Sequence, residues 1–294
     1  MKTKISTSEK IFDAINTIMM ILLVIVTLYP FYYVMICSVS DGSKLLAARG
    51  ILLKPFGWNW DAYKAVFSNP NIFTGYRTTL IIVVFGTALN VVLTAIGAFL
   101  LTRQNFAIKN VMGNMMVFTM YFSGGLIPTY LLVQNVLHLG DSLWALILPS
   151  AISTYNLIVM RSNFASIPRS LEESAKLDGA NDLVILTRII LPLSLPIIAV
   201  MVLFYGVSHW NAWFNAMLYM RTRAKYPLQL ILREILLMND TNSMSGNAAA
   251  GEMYAVGENI KYATIIVATV PILLVYPFIQ KYFVKGIMVG AIKG

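Results

Sequence analysis

Six long runs of mainly apolar residues divide this chain and constrain the fold that it can adopt. A helix that crosses the hydrocarbon core of a bilayer needs about 20 mainly apolar residues, and each run is close to that length. The runs cover approximately residues 14–36, 78–101, 111–133, 143–160, 195–218 and 262–283. The pattern predicts an all-α integral membrane protein with six transmembrane helices.

The amino-acid composition favours a membrane location. Hydrophobic residues make up 58% of the chain and charged residues only 12%, whereas a soluble domain is about a quarter charged. So few charged groups do not cover a water-facing surface of this size. The first run is longer than the apolar core of a signal peptide, and no small-x-small cleavage site directly follows it. We therefore expect it to stay in the protein as the first transmembrane helix.

Charged residues lie between the apolar runs and not in their middles. The absence of Asp, Glu, Lys and Arg from the middle of any run argues against a proton pump or a charged relay. The net charge of +9 comes from scattered basic residues, so it does not predict nucleic-acid binding. Cys37 is the only cysteine, which excludes an intrachain disulfide framework and a cysteine-based metal site.

Basic residues and loop lengths predict the topology. Six spans place both termini on one side, and the short connection 134–142 on the other side has no Lys or Arg. Because short cytoplasmic loops are enriched in basic residues, we expect both termini to be cytoplasmic. The predicted organisation is a cytoplasmic N-terminus (1–13), a transmembrane domain (14–283) with external loops at about 39–77 and 219–261 and a cytoplasmic segment at about 161–194, and a cytoplasmic tail (284–294).

The two long external loops contain predicted short helices. In the first loop, Trp60, Tyr63 and Phe67 fall on one helical face, as in a helix that lies at the membrane interface. In the second loop, Pro227 suits the first turn of a helix, and an apolar stripe follows it at positions 228, 231, 235 and 236. Residues 239–251 are small and polar, as in a connecting loop or a loop that touches a partner.

Residues 168–192 form the most informative cytoplasmic stretch. Ser170 and Glu173 have the spacing of a capping box at the start of a helix. Gly179 suits the left-handed conformation that ends a helix, and Asn181 or Asp182 suits the cap of the next one. Pro192 then favours a helix end. We expect two short helices that project from the membrane between spans four and five.

The same stretch resembles a family signature. The family pattern is Glu-Ala-Ala, three further residues, Gly, nine further residues, and Ile-x-Leu-Pro. Here it stands as Glu173-Ser174-Ala175, Gly179, Ile189 and Leu191-Pro192, with Ser174 in place of the first Ala. The chain thus resembles the binding-protein-dependent (type I) ABC importer permeases, whose two short helices dock into a groove on the ATPase subunit.

The resemblance extends over nearly the whole chain and indicates the carbohydrate-uptake branch. The C-terminal residues 281–294 and the run Trp-Asn-Ala-Trp-Phe at 210–214 are similar to the smaller inner-membrane permease of maltose-type importers. Residues 122–130 are similar to permeases for oligosaccharides released from larger glycans. The resemblance implies a bacterial plasma (inner) membrane location and import by alternating access.

The resemblance also implies a set of partners. They are a paralogous second permease in a heterodimer, two ATPase subunits, an extracytoplasmic solute-binding protein and a sugar or oligosaccharide, all within a lipid bilayer. ATP and Mg would be bound by the ATPase subunits, since this chain has no Gly-x-x-x-x-Gly-Lys-Ser/Thr loop and needs no cofactor of its own. The residues expected to dock to the ATPase are Glu172, Glu173, Ala175, Asp178, Gly179, Ala180, Leu191 and Pro192. For Asp178, a local helix cap is an equal alternative.

Uncharged polar and aromatic residues in the spans are candidates for the substrate pathway. Sugar rings are bound by aromatic faces, and sugar hydroxyls by amides and hydroxyls. Asn211 and Asn215 would share one face of span five, and Gly124, Gly125 and Pro128 would bend span three. The candidates are Tyr121, Ser123, His209, Asn211, Trp213 and Asn215. Bonding to neighbouring helices, and interfacial anchoring for the tryptophans, stay open as alternatives.

Two other functions remain open at this point. The first is an ABC permease for a non-sugar solute, which would place cationic or anionic groups in the spans. The second is an integral membrane enzyme that modifies glycosyl or lipid groups, which would need clustered carboxylates or a metal set. The absence of charge within the spans favours a neutral polar cargo.

Overall fold

The computed structural model describes residues 6–47, 50–237, 257, 259–275 and 277, and they are helical with no strands. They belong to two compact units. Of the described residues, those up to Asn69 and those within Glu234–Thr269 form one unit, and those within Pro70–Arg233 and from Val270 onward form the other. The helices of the first unit are α1 (Thr7–Ser38), α2 (Gly42–Ala47) and α3 (Asp61–Ser68), together with most of the last described helix, α16 (Asn259–Val275).

Helix α1 presents an apolar surface to its surroundings. Its most apolar 18-residue window has a mean hydropathy of 2.3, and none of that window is buried within the chain. Only its last turn is buried, where Cys37 packs with Leu45 and Leu52. The Asn259 amide also donates to the Ser40 carbonyl oxygen at 2.5 Å, which joins the start of α16 to the end of α1. An exposed apolar cylinder of this length fits a lipid environment.

The second unit contains the helices that position the candidate site. They begin with α4 (Pro70–Ile81) and α5 (Thr87–Thr102), which are joined by a π turn at Ile82–Gly86. Next come α6 (Lys109–Tyr121); α7 (Leu126–Leu131), continued by a π turn at Leu132–Val136; α8 (Trp144–Ile147), continued by a 3-10 turn at Leu148–Ser150; α9 (Thr154–Ala165); and α10 (Arg169–Leu177). The remaining elements are α11 (Asp182–Ile185), continued by a π turn at Leu186–Ile190; α12 (Leu191–Leu193); α13 (Leu195–Asn211); α14 (Phe214–Tyr219); a 3-10 turn at Arg223–Lys225; and α15 (Leu228–Leu237), whose last four residues belong to the first unit.

Small residues on α5 let three helices pack closely. Ala95 and Ala98 are buried against Met160 of α9 and Met201 of α13. A Cβ added at Gly97 would lie 2.9 Å from Leu157 Cδ1, so α9 approaches the α5 backbone directly. Helices in lipid associate through such close packing, because the apolar solvent provides no hydrophobic drive. Helices α5, α9 and α13 therefore form a closely packed core in this unit.

The structure confirms the all-helical membrane fold and shows which predicted spans are continuous. Two helices, α1 and the continuous segment 70–102, are each long and apolar enough to cross a bilayer. Two further pairs pass the same test only as bent segments: α6 with α7, bent by 117°, and Asp182–Leu193 with α13, bent by 85°. The six-span count stays a prediction. Residues 239–251 and 281–294 lie outside the described residues.

Three predicted spans differ from the structure in detail. Span three is broken at 122–125, as its glycines predicted, and Gly125 has φ +89°. Span four is not one helix, because its chain leaves the α-helix after Ile147 and resumes only when the Ser153 side chain caps α9. Span five ends at Asn211 and restarts at Phe214. The short helices predicted within the two long loops are confirmed, and Leu228, Ile231 and Ile235 of α15 are buried.

Candidate functional site

The segment predicted to dock to an ATPase subunit (residues 161–194), which we call the coupling segment, consists of the end of α9 followed by α10, α11 and α12. Helix α10 ends in a Schellman motif: Gly179 has φ +82°, its N–H donates to the Lys176 carbonyl, and the Ala180 N–H donates to the Ala175 carbonyl at 2.9 Å. The Asn181 side chain then caps α11 by accepting from the Val184 N–H at 2.9 Å. Both predicted turn signals are confirmed, with Asn181 as the cap.

The capping box predicted at Ser170 and Glu173 is wrong. Helix α10 begins at Arg169, directly after Pro168, and its N-cap position makes no side-chain hydrogen bond. Ser170 therefore lies inside the first turn. Because a proline readily precedes or opens a helix, the start is set by Pro168 rather than by the serine. The second predicted helix does end close to Pro192, since α12 stops at Leu193.

An internal ion pair ties α10 to the end of α5. The Arg103 guanidinium donates to both carboxylate oxygens of Glu172, at 2.5 and 2.7 Å, and also lies 4.0 Å from the ring centre of Phe99. The two charged side chains are only 13% and 15% exposed. A bidentate pair of this kind fixes the position and the orientation of both groups. The coupling segment is thus anchored to the α5–α9–α13 core.

The predicted docking residues divide into an inward and an outward set. Ala175, Ala180 and Leu191 pack against the core that contains Met160 and Ile185. Glu172 also faces inward, because Arg103 holds its carboxylate. The outward set is exposed and consists of Glu173, Asp178, Gly179 and Pro192. Asp178 directly follows the last residue of α10, and its side chain caps no helix among the described residues.

Two exposed leucines on the coupling segment were missed from the sequence. Leu177 is 90% exposed and Leu183 is 68% exposed, although the segment around them is polar. Leu177 comes two residues after the inward-facing Ala175, so it lies about 200° around the helix from it. The two-residue spacing from Ala175 could therefore have predicted from the sequence that Leu177 faces outward. Apolar side chains left in water on a protruding segment mark a protein contact.

A buried polar network lies where α5, α9 and α13 meet the broken fourth span. The Asn90 amide donates to the carbonyl oxygens of Ser150 at 2.7 Å and Ala151 at 2.9 Å, and its oxygen lies 2.7 Å from His209 Nε2. These carbonyls belong to the stretch where the helix is interrupted, so Asn90 replaces missing backbone hydrogen bonds. A Cβ added at Gly86 would lie 2.7 Å from the same His209 nitrogen.

A second bond joins the same helices one turn away. Thr94 Oγ1 and the Tyr205 hydroxyl are 2.7 Å apart, and the Ser153 N–H donates to that hydroxyl at 3.0 Å. The residues of both networks come from distant parts of the chain, and Asn90, Thr94 and Tyr205 had no distinctive sequence pattern. Of these groups, only His209 was predicted as a site residue. Its ring is buried and hydrogen-bonded, as the alternative of helix-to-helix bonding expects.

The other candidates in span five do not share one helix face. Asn211 is the last residue of α13 and is exposed, whereas Asn215 belongs to α14 beyond the break at 212–213. The shared face was predicted for a continuous helix, and the break removes it. Asn215 and His209 both line a cavity of about 100 Å³. His209 also lines a larger cavity of about 540 Å³ together with Asn156.

Tyr121 and Ser123 lie at the bend between α6 and α7. Tyr121 is 79% exposed, and the irregular backbone from Phe122 to Gly125 is exposed as well. The Ser123 hydroxyl accepts from the Gly125 N–H at 3.2 Å, which stabilises the turn locally. The structure thus brings neither residue to His209 or Asn215. Non-helical backbone is tolerated at membrane depth only against protein or water.

Asp141 fixes the short loop before α8 to the segment after α14. Its carboxylate accepts from the Thr222 hydroxyl at 2.7 Å, from the N–H groups of Thr222 and Arg221 at 3.0 Å each, and from Lys225 Nζ at 2.9 Å. Thr222, followed by Lys225 and the Arg221 N–H, holds the pKa of this carboxyl well below its usual range. The loop is therefore closed by a carboxylate that stays ionised in mild acid.

The described residues contain no group of three or more His, Cys, Asp or Glu side chains that could hold a metal ion. The polar groups that do converge are amides, hydroxyls and one imidazole. Such groups bind other polar uncharged groups, and they supply neither a nucleophile with its base nor a metal site.

Comparison with known proteins decides the family. The protein family described as "Binding-protein-dependent transport system inner membrane component" matches residues 94–289, which include the whole coupling segment. The chain belongs to this family. It is a membrane component of a transport system and not an enzyme, and the resemblance inferred from residues 173–192 is confirmed.

Curated relatives match over almost their full lengths. Protein LplC of Bacillus subtilis (strain 168) is 41% identical, over 97% of this chain and 96% of the relative. The polygalacturonan/rhamnogalacturonan transport system permease protein YtcP of the same organism is also 41% identical, over 97% of this chain and 99% of the relative. The arabinooligosaccharides transport system permease protein AraQ, again from Bacillus subtilis, is 24% identical over 95% of each.

Solved structures share the fold. A chain in the crystal structure of a bacterial ABC transporter involved in the import of the acidic polysaccharide alginate is 31% identical, with a TM-score of 0.86 over 96% of this chain and 100% of that chain. A chain in the alginate transporter bound to its pentasaccharide-loaded periplasmic protein is 17% identical, with a TM-score of 0.50, and supports the fold alone. Importers of this family also contain a second permease, ATPase subunits and a binding protein, as predicted.

Proposed function

We propose that this chain forms half of the translocation pathway of an ATP-driven oligosaccharide importer and receives its energy through the coupling segment. The observation that carries the proposal is the two-helix segment itself. It presents the exposed side chains of Leu177 and Leu183 around Gly179, and the buried Arg103–Glu172 pair fixes its inner side. A rigid, partly apolar protrusion of this kind suits docking into a groove on another protein.

The fixed inner side gives a physical route for coupling. A partner shifts a two-state equilibrium only through contacts that differ between the states. When nucleotide moves the ATPase subunits, the segment moves with them, and the Arg103–Glu172 pair transmits the displacement to α5. Helix α5 also carries Asn90, which is bonded to His209 of α13. A movement of α5 therefore reaches the polar network beside the cavities.

The pathway residues follow from the breaks in the helices. The interruption at 212–213 and the exposed bend at 122–125 leave backbone groups that lipid does not satisfy. We place both against the water-filled path or the second permease, with Trp213 and Asn215 on one side and Tyr121 and Ser123 on the other. Six spans, both termini in the cytoplasm, and the predicted domain bounds (1–13, 14–283 and 284–294) belong to the same proposal.

The proposed cargo is an oligosaccharide from an acidic polysaccharide, delivered by an external binding protein. Two relatives at 31% identity or more are named for polygalacturonan and for alginate. The spans have no charge in their middles, which by itself favours neutral cargo. However, the Arg233 guanidinium lies 4.0 Å from the ring centre of Trp213 and provides a cation beside an aromatic face. This pair suits a sugar ring that carries a carboxylate.

The cargo is tested by identifying what the binding protein brings. The partner binding protein is purified without added ligand, and its bound molecules are analysed by mass spectrometry. We expect oligosaccharides that contain uronic acid. Neutral oligosaccharides would refute the acidic cargo but retain sugar transport, whereas a bound amino acid, peptide or metal ion would refute sugar transport.

A matched variant pair tests the assignment of Arg233. In proteoliposomes that contain the complete importer with its ATP and Mg, Arg233→Gln should lower uptake of an acidic oligosaccharide at least several-fold. Lys64→Gln removes an exposed cation that pairs only with Asp61, and should leave uptake unchanged. Equal uptake by both variants would show that Arg233 does not contact the cargo.

A further inference from the structure

A cavity of about 450 Å³ lies between the coupling segment and the ends of α5, α6 and α9. Five cationic and three acidic side chains line it. Two of the acidic groups already have cationic partners, since Glu172 pairs with Arg103 and Asp182 lies 4.0 Å from Lys176. The charges that remain are those of Lys109, Arg161 and Arg169, and only Glu173 opposes them.

These three cations lack partners of their own. None of Lys109, Arg161 and Arg169 makes an ion pair with another described residue. They lie at the first residue of α6, near the end of α9 and at the first residue of α10. The free N–H groups at the starts of α6 and α10 add partial positive charge. The cavity therefore favours an anion.

A second cavity continues from the first into the membrane-spanning part of the unit. It has about 430 Å³ and lies between α6 and α9, where apolar side chains of Met116, Val117 and Ile158 line it together with the amides of Asn110 and Asn114. Lys109 and Arg161 line both cavities, so the two share one rim. The groove is open at Gly113, where an added Cβ would meet nothing within 4 Å.

We propose that an anionic phospholipid binds here, with its phosphate headgroup among Lys109, Arg161 and Arg169 and an acyl chain in the groove between α6 and α9. The basic cavity alone would suit any phosphate. The adjoining groove distinguishes a lipid, because a free phosphate leaves the groove empty. The position at the ends of three apolar helices matches the depth of headgroups, and basic pockets between membrane helices bind such headgroups.

The site lies directly beneath α10. A lipid at this position would neutralise the cations that surround Glu173 and would support the coupling segment from its membrane side. The inference does not depend on which cargo is carried, because the binding experiment measures lipid and not transport.

The headgroup site is tested by native mass spectrometry of the importer complex, purified through a tag on this chain and incubated with dioctanoyl phosphatidylglycerol or dioctanoyl phosphatidylcholine. We expect the phosphatidylglycerol adduct on this chain to exceed the phosphatidylcholine adduct. In the double variant Lys109→Gln/Arg161→Gln, the dissociation constant for phosphatidylglycerol should rise about 30-fold, from a roughly 5-fold effect of each cation near the surface. The control Lys10→Gln/Lys54→Gln removes the same charge at positions that line neither cavity, and should bind like the wild type.

The acyl-chain site is tested by Gly113→Leu, which adds a side chain to the groove at a point where the new Cβ has no neighbour within 4 Å. This variant should weaken binding of phosphatidylglycerol, and inorganic phosphate, added as a competitor, should displace the headgroup binding that remains. Equal binding of both lipids, or wild-type binding by the Lys109/Arg161 double variant, would overturn the proposal. If inorganic phosphate binds as tightly as phosphatidylglycerol and Gly113→Leu has no effect on lipid binding, the cavity is a site for free phosphate instead.

Discussion

The same substitution should change the protein at Glu172 and leave it unchanged at the adjacent Glu173. Glu172 is held by Arg103 through two charge-assisted hydrogen bonds of 2.5 and 2.7 Å, whereas Glu173 is exposed. The change Glu172→Gln keeps the shape of the side chain but removes its charge. It also turns an amide N–H₂ toward a guanidinium that can only donate. Glu173→Gln makes the same chemical change at an exposed carboxylate that forms no ion pair with another described residue.

The magnitude follows from the burial of the pair. Removing one partner of a fully buried ion pair costs about 3–5 kcal/mol. The two side chains keep 13% and 15% of their exposure, so water compensates a part of the loss, and we expect about 2–3 kcal/mol. At about 1.4 kcal/mol per factor of ten, the local opening of α10 should become roughly 30- to 150-fold more frequent.

Hydrogen–deuterium exchange of peptides that cover residues 169–180 measures this opening directly. In the purified chain, Glu172→Gln should speed exchange of α10 amides by about that factor, and Glu173→Gln should leave it unchanged. The double variant Arg103→Met/Glu172→Met removes both charges together and should recover most of the protection, because no buried charge is left unpaired. If the two single variants exchange alike, the inward assignment of Glu172 is refuted.

Three further changes test other parts of the structure. Gly86→Ala should lower the free energy of unfolding by about 1–3 kcal/mol in thermal denaturation, because its Cβ would meet His209 at 2.7 Å. The control Gly206→Ala, whose nearest contact would be at 3.8 Å, should be neutral or slightly stabilising. Equal melting temperatures of the two variants would contradict this prediction. The depressed pKa of Asp141 means that its contribution to stability is present above the unfolded-state pKa of about 3.9 and is lost only as the pH falls through the lower folded-state pKa. Exchange of the loop amides, corrected for intrinsic rates, should therefore not change between pH 8 and 5, and should rise at both pH values in Asp141→Asn; a rise in the wild type at pH 5 would show that the carboxylate is not held. Leu177→Asp places a charge at a position where the side chain is 90% exposed, so the melting temperature of the chain should not change. Co-purification of the ATPase subunits should fall at least 10-fold. Undiminished co-purification would show that Leu177 is not part of the docking surface.

Local signals carried most of the fold that could be predicted. Apolar runs, the left-handed glycine at Gly179, the Asn181 cap and the stripe on α15 each depend on neighbouring residues, and each is confirmed. The capping box at Ser170 failed because a competing local signal, Pro168, set the helix start.

The connections that give the site its geometry are not local. Arg103 and Glu172 are 69 positions apart, and Asn90 and His209 are 119 apart. No periodicity links such residues, so the sequence identified Glu172 and His209 by type and position but missed their partners. The shared face of Asn211 and Asn215 failed for a related reason. The helix break at 212–213 lies within a mainly apolar run that also contains Asn211 and Asn215, and no Pro or Gly stands at the break.

Uptake into proteoliposomes tests most directly whether ATP drives import through the coupling segment. The complete importer is reconstituted with ATP and Mg inside the vesicles and the loaded binding protein outside, and labelled oligosaccharide is counted. Wild type and Gly179→Asn should both import, since asparagine tolerates the left-handed conformation of this turn (φ +82°). Gly179→Arg places a long side chain on the docking surface and should reduce uptake and ATPase co-purification to background. Wild-type uptake by Gly179→Arg, or uptake that needs no ATP, would contradict the account.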